Sequence, residues 1–152
     1  MRKINIIYAG GIKSSEKYFT EAVGEYIKRV SGEFKITNTE INVGNAALGV
    51  PQIIEAEGKK ILGKINPGAF KIALCVEGKK LTSEEFAALL YKHASVDFII
   101  GSSHGLSDEV KRSADYLLSL SDMTFAHRLA RVMLTEQIYR AYAIQTGKKY
   151  HK

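Results

Sequence analysis

Two hydrophobic periods alternate along this chain, and the switches between them mark its elements. Short, nearly continuous apolar runs at Ile4–Tyr8, Phe70–Val76, Val96–Ile100 and Tyr116–Leu120 predict buried strands. Phe34 to Val43 is β-rich and partly alternating, with Phe34, Ile36, Ile41 and Val43 as inward positions. Between these runs the spacing turns helical. Phe19, Val23, Tyr26, Ile27 and Val30 keep one face of a helix that Ser14 caps and Gly32 ends. Gly44-Asn45 starts a small-residue loop, and Pro51 opens a helix striped by Ile54, Ile61, Leu62 and Ile65, which Asn66-Pro67-Gly68 stops. Thr82 and Glu85 form a capping box for a helix through Phe86, Leu89, Leu90 and His93. Ser107 caps a short helix, and a long one runs from about Phe125 toward Gly147 with Leu129, Val132, Met133 and Ile138 on its apolar face.

Strands and helices therefore alternate throughout. Because the strands are too apolar to face water, the pattern predicts an α/β fold with a parallel-rich sheet covered by helices on both faces. At 152 residues the chain fits one domain, 1–152, with a core large enough to need no disulfide or metal. The composition is that of a soluble globular protein, no run reaches the ~18 apolar residues that span a bilayer, and the amino-terminal stretch is too short for a signal sequence, so the cytoplasm is expected. The single cysteine, Cys75, sits among Ala73, Leu74 and Val76 and reads as an inert strand residue.

Charge changes this picture at one end. From Phe125 to Lys152 stand six cations (Arg128, Arg131, Arg140, Lys148, Lys149 and Lys152) against one acid, Glu136, which is five of the chain's net charge of +6. Concentrated fixed cations attract a polyanion, so nucleic acid is the first partner to consider, with an ordinary solvated helix face as the alternative.

In an open α/β sheet, ligands bind beyond the carboxyl ends of the strands, here the turns after Val76, Ile100 and Leu120. Gly101 and Gly105 permit close backbone approach or positive φ in the second of these. Taken literally, Gly101-Ser-Ser-His-Gly105 also matches the nucleophile elbow of α/β-hydrolases, with Ser103 as nucleophile and Asp115 or Asp122, then His127 or His151, completing a triad. Dinucleotide and phosphate-loop fingerprints are absent, since Gly10-Gly11-Ile-Lys lacks their spacing. The four histidines, at 93, 104, 127 and 151, have no metal-ligand spacing, so no metal is expected.

Several separated motifs carry a resemblance across essentially the whole chain. Glu57-Gly-Lys-Lys-Ile-Leu62, Leu74 ahead of Glu77-Gly-Lys79, Phe98-Ile-Ile-Gly101 with Gly105-Leu106, Leu118-Ser-Leu-Ser-Asp-Met-Thr-Phe125, His127, Arg131, Glu136-Gln-Ile-Tyr-Arg-Ala141 and the terminal Tyr150-His-Lys152 together resemble the RlmH family. That family comprises 23S ribosomal RNA (pseudouridine-1915-N3)-methyltransferases of the SPOUT class. The resemblance implies a carboxy-terminal trefoil knot, a homodimer, S-adenosylmethionine as cofactor and a pseudouridine of the assembled ribosome as substrate.

Carried over position by position, the cofactor contacts fall on Leu74, Gly101, Ser102, Gly105, Leu120, Ser121, Asp122, Met123, Thr124 and Phe125. Leu74, Leu120, Met123 and Phe125 are suited to an apolar slot for adenine. His127 or His151 would assist removal of the N3 proton, and Arg131 is placed with them or at a dimer seam. Arg128, Arg131, Arg140, Lys148 and Lys149 suit phosphates, and Tyr142, Tyr150 or His151 could stack on a base. Two departures stand out: Ser102 where relatives usually have Gly, and Ala126 where they usually have Pro. A serine hydrolase and a non-catalytic RNA-binding module stay open as rival readings.

Overall fold

The computed structural model describes residues 1–10, 16–43 and 47–152. Five strands, β1 (Arg2–Ala9), β2 (Phe34–Ile41), β3 (Phe70–Lys80), β4 (Ser95–Ile100) and β5 (Tyr116–Ser119), form one sheet in the order β2-β1-β4-β3-β5. Every neighbouring pair is parallel. The connections are made by α1 (Lys17–Arg29), α2 (Val50–Leu62), α3 (Ser83–Tyr91) and α4 (Asp108–Ser113), and α5 (His127–Thr146) closes the chain.

Alternation of side chains along each strand divides the core in two. Ile4, Ile6, Phe34, Ile72 and Phe98 face one layer, where Val30, Phe86, Leu90, Leu134 and Ile138 from and around α1, α3 and α5 meet them. Ile7, Ala9, Ile41, Ala73 and Ile99 face the other, with Ile61 of α2 and Val110 of α4. Helices thus cover both faces. Among the described residues no helix is long and apolar enough to cross a membrane.

The local signals act as their chemistry requires. Thr82 Oγ1 accepts from the Glu85 amide at 3.1 Å while Glu85 Oε1 accepts from the Thr82 amide at 2.9 Å, the reciprocal capping box. Ser107 Oγ accepts from the Val110 amide, and Gly147 ends α5 at φ +73. Pro51 lies in the first turn of α2. Ser14, Gly11, Gly44 and Asn45 lie outside the described residues. The β2 strand stops at Ile41, two residues before Val43, and His93 lies beyond α3, its ring stacked on Phe70 at 3.8 Å.

Two elements differ from expectation. The β3 strand continues past Val76 to Lys80, with a register shift in which Leu74 and Lys79 both pair with Leu118. The buried stripe of α5 is Arg131, Leu134, Thr135, Ile138, Ala141 and Ala143, whereas Leu129 is exposed and Val132 and Met133 are only partly covered. A helix with apolar residues on more than one side satisfies the helical period in several orientations, and packing against α1 and α3 selects one of them.

Candidate functional site

The ends of β3, β4 and β5 and the start of α5 enclose a cleft of about 590 Å³, within the ~300–1,000 Å³ usual for small-molecule sites. The three turns expected to converge do so. Leu74, Gly101, Ser102, Gly105, Leu120, Ser121, Met123, Thr124 and Phe125 all line it, together with His127 and Arg128. Asp122 does not; its carboxylate turns outward to Lys80 Nζ at 2.6 Å and joins the end of β3 to the loop after β5.

The register shift in β3 builds one wall. Residues between Leu74 and Lys79 leave the ladder, and Cys75, Val76 and Glu77 line the cleft in consequence. Gly78 is what lets β3 come back onto β5, since a Cβ there would lie 2.7 Å from the backbone of Leu117 and Leu118. Cys75 has its thiol pKa pushed up, chiefly by burial, which suits a lining residue and not a nucleophile. Glu77 pairs with Lys111 of α4 at 2.5 Å, placing a carboxylate and an ammonium together at the rim.

The second wall is a tight turn. The Gly105 amide donates to Ser102 O at 2.9 Å, and Ser102 and Gly105 form an isolated antiparallel bridge. Gly105 has φ +90, and a Cβ on Gly101 would lie 2.9 Å from the Gly105 carbonyl carbon, so both glycines are required by the backbone itself. The loop after β5 is held by its own serines: Ser119 Oγ donates to Ser121 O, and Ser121 Oγ accepts from the Met123 amide.

His127, the first residue of α5, seats its ring on Gly10 at the end of β1, and its Nε2 is buried with no hydrogen-bond partner among the described residues. Burial, reinforced by the charge of Arg128, lowers its pKa; Glu16 and the Gly10 backbone act the other way. Arg131 lies one turn further on, 6% exposed, its guanidinium 3.8 Å from the centre of the Tyr8 ring. It does not line the cleft.

The remaining basic and aromatic residues gather at the far end of α5. Glu136 Oε1 accepts from Arg140 Nη2 at 2.7 Å and from the Tyr150 hydroxyl at 2.9 Å. Arg140 Nη1 lies 3.2 Å from His151 Nδ1, and His151 Nε2 lies 2.6 Å from Glu84 on α3. Since arginine can only donate, Nδ1 is placed to accept there, and Nε2 to donate to Glu84. Arg140, Tyr150 and His151 thus tie the tail to α3 and α5, and none of them lines the cleft. Lys148 stands over the Tyr142 ring at 4.8 Å, and Lys148 and Lys149 are exposed.

The hydrolase triad is not assembled. Ser103 is exposed and makes no hydrogen bond to His127 or His151 among the described residues, Asp115 is bound to the Lys71 amide, and Asp122 to Lys80. No non-glycine residue among those described has positive φ, so Ser103 lacks the strained geometry of an elbow. Among the described residues there is no cluster that could hold a metal ion.

The family model described as a predicted SPOUT methyltransferase matches residues 2–151. A protein of Caldicellulosiruptor bescii named ribosomal RNA large subunit methyltransferase H is 47% identical over 155 aligned residues, covering 98% of this chain and 99% of its own. A protein of the same name from Clostridioides difficile is 46% identical over 98% of this chain and 99% of its own. In three dimensions the chain resembles the tRNA (m1G37) methyltransferase of Aquifex aeolicus, with a TM-score of 0.56 over 91% of this chain and 69% of that one, at 16% identity.

Proposed function

The chain belongs to the SPOUT methyltransferase family, and from that premise we propose that it transfers a methyl group from S-adenosylmethionine to large-subunit ribosomal RNA, at N3 of pseudouridine 1915 of the 23S RNA in the assembled ribosome. The observation that carries this reading is the convergence of three strand ends on one cleft lined by the residues that the motifs single out.

The cleft suits the cofactor. Leu74, Leu118, Leu120 and Phe125 offer apolar surface to an adenine, main chain at Gly101 and Gly105 is open to close approach, and the Glu77–Lys111 rim has both charges for a zwitterionic amino-acid end. When bound, S-adenosylmethionine supplies an electrophilic methyl on a sulfonium. The protein's part is to hold the acceptor nitrogen in line and to take its proton. His127 is the titratable ring at the cleft, and its lowered pKa keeps it neutral and able to accept that proton. Arg131 serves nearby, bracing the start of α5 against Tyr8, and His151, at the far end of α5, orders the tail. Arg128, Lys148 and Lys149 are assigned to phosphates, with Arg140, Tyr142 and Tyr150 shaping the surface that presents them.

The close approach of β3 to β5 at Gly78 is compatible with the knotted threading of the family. The partly covered Val132 and Met133 line a second groove with Leu120 and Phe86, which supports a homodimer seam on that side. A ribosomal substrate supports a cytoplasmic location. Calorimetric titration with S-adenosylmethionine, followed by transfer of labelled methyl to ribosomes lacking the modification and mapping by mass spectrometry, tests the reading. Saturable heat and one labelled pseudouridine are expected; no heat and no label would overturn it.

A further inference from the structure

The Ser102 hydroxyl does not turn into the cleft. It donates to Glu57 Oε1 at 2.7 Å, across 45 positions of sequence, and Glu57 is only 6% exposed. Glu57 lies on α2, which packs tightly beneath the β4 turn: a Cβ on its neighbour Gly58 would meet Ser107 Oγ at 2.5 Å. Ser102 also closes its own turn, accepting the Gly105 amide at its carbonyl and the His104 amide at its hydroxyl, at 2.9 and 3.4 Å. A hydroxyl has one proton and two lone pairs, so the single residue engages donor and acceptor capacity at once.

We propose that Glu57 and Ser102 form a positioning pair that fixes the wall of the cleft formed by the Gly101–Gly105 turn. Glycines at both ends of this turn leave its backbone free to sample other conformations, which costs entropy on ordering. A buried acceptor oxygen on Glu57 that takes the hydroxyl proton in a hydrogen bond supplies the restraint, because leaving either polar group unpartnered in that layer is disfavoured. The wall is thus set before a ligand arrives, which raises affinity by lowering the ordering cost of binding. The inference rests on the cofactor reading of the cleft. It assigns Glu57, which does not itself line the cleft, a role in cofactor affinity.

The test is a double-mutant cycle with two readouts: S-adenosylmethionine affinity by calorimetry, and hydrogen exchange of the Gly105 amide by NMR. Ser102→Ala and Glu57→Ala are each expected to weaken binding about 5- to 20-fold and to speed Gly105 exchange. The double variant should be no weaker than either single one, and Glu57→Gln, which keeps an acceptor oxygen, should restore most of both. Wild-type affinity together with unchanged Gly105 exchange in Ser102→Ala would overturn the pair. If Glu57→Ala fails to fold, Ser102→Ala and Glu57→Gln decide alone. An unaltered protein that does not bind S-adenosylmethionine overturns the cofactor reading instead, while the exchange data still judge the restraint.

Discussion

The ring of His127 rests on the backbone of Gly10, so closely that a methyl group on that glycine would lie 2.9 Å from Nε2. Gly10 has φ +80, a region that side-chain-bearing residues avoid. The first turn of the last helix is therefore seated on the end of the first strand through a residue that must be glycine. Gly10→Ala meets both the strained φ and the ring, and is expected to cost about 1–3 kcal/mol of stability. Urea unfolding measures it; a loss below ~0.5 kcal/mol would mean that the ring moves aside freely. Methyl transfer should fall as well, because the displaced imidazole is the proposed proton acceptor.

The depressed pKa of His127 makes a pH prediction with a definite sign. Burial is its chief cause, and the folded protein holds this imidazole neutral below the ordinary value of 6.5. The methyl-transfer rate constant should therefore stay level as pH falls to 6.5 and drop only below it. In His127→Gln that limb should vanish and the rate fall about 10²- to 10⁴-fold. Stability follows the same linkage: below pH 6.5 the unfolded chain takes up the proton first, so stability declines as pH falls toward the folded pKa. Thermal melts of the two proteins between pH 7.5 and 5 would show this slope in one and not the other.

Ala126 has φ −55 and ψ 138, at the position just before the first turn of α5. That φ is within reach of a proline ring, so the backbone already has the shape that proline would impose. Ala126→Pro should raise stability by about 0.4–1 kcal/mol by restricting the unfolded chain. Differential scanning calorimetry would register a higher melting temperature; a lower one would show that the Ala126 amide is needed.

The strands and the convergence of their ends are legible in the sequence because buried parallel strands need continuous apolar runs and glycine punctuates them. What stays hidden has physical causes. Cys75 and Val76 read as strand positions, and only the register shift against Leu118 turns them toward the cleft. Arg131 looks like a surface cation because nothing in its neighbourhood of sequence announces the Tyr8 ring that covers it. Glu57 is buried by a hydroxyl 45 residues away, a partner that helical periodicity does not report. The face of α5 differs from expectation at Leu129 since its apolar residues surround the helix and periodicity fixes spacing, not direction.

Lys148 and Lys149 leave the tail exposed beside Tyr142, after the left-handed turn at Gly147. Neither stands in an ion pair among the described residues, in contrast to Arg140, whose charge is engaged by Glu136. Cations of this kind gain affinity for RNA by releasing the counterions condensed on it, so their contribution appears in the salt dependence. Replacing both with Glu should weaken binding to ribosomes by at least tenfold at physiological salt. The slope of log K against log salt should become shallower by about 2, one for each lysine withdrawn from a phosphate. S-adenosylmethionine affinity should not change, since neither lysine lines the cleft. Filter binding over a salt series measures the first two effects. An unaltered slope would show that the tail's charge faces solvent and that the RNA is held elsewhere.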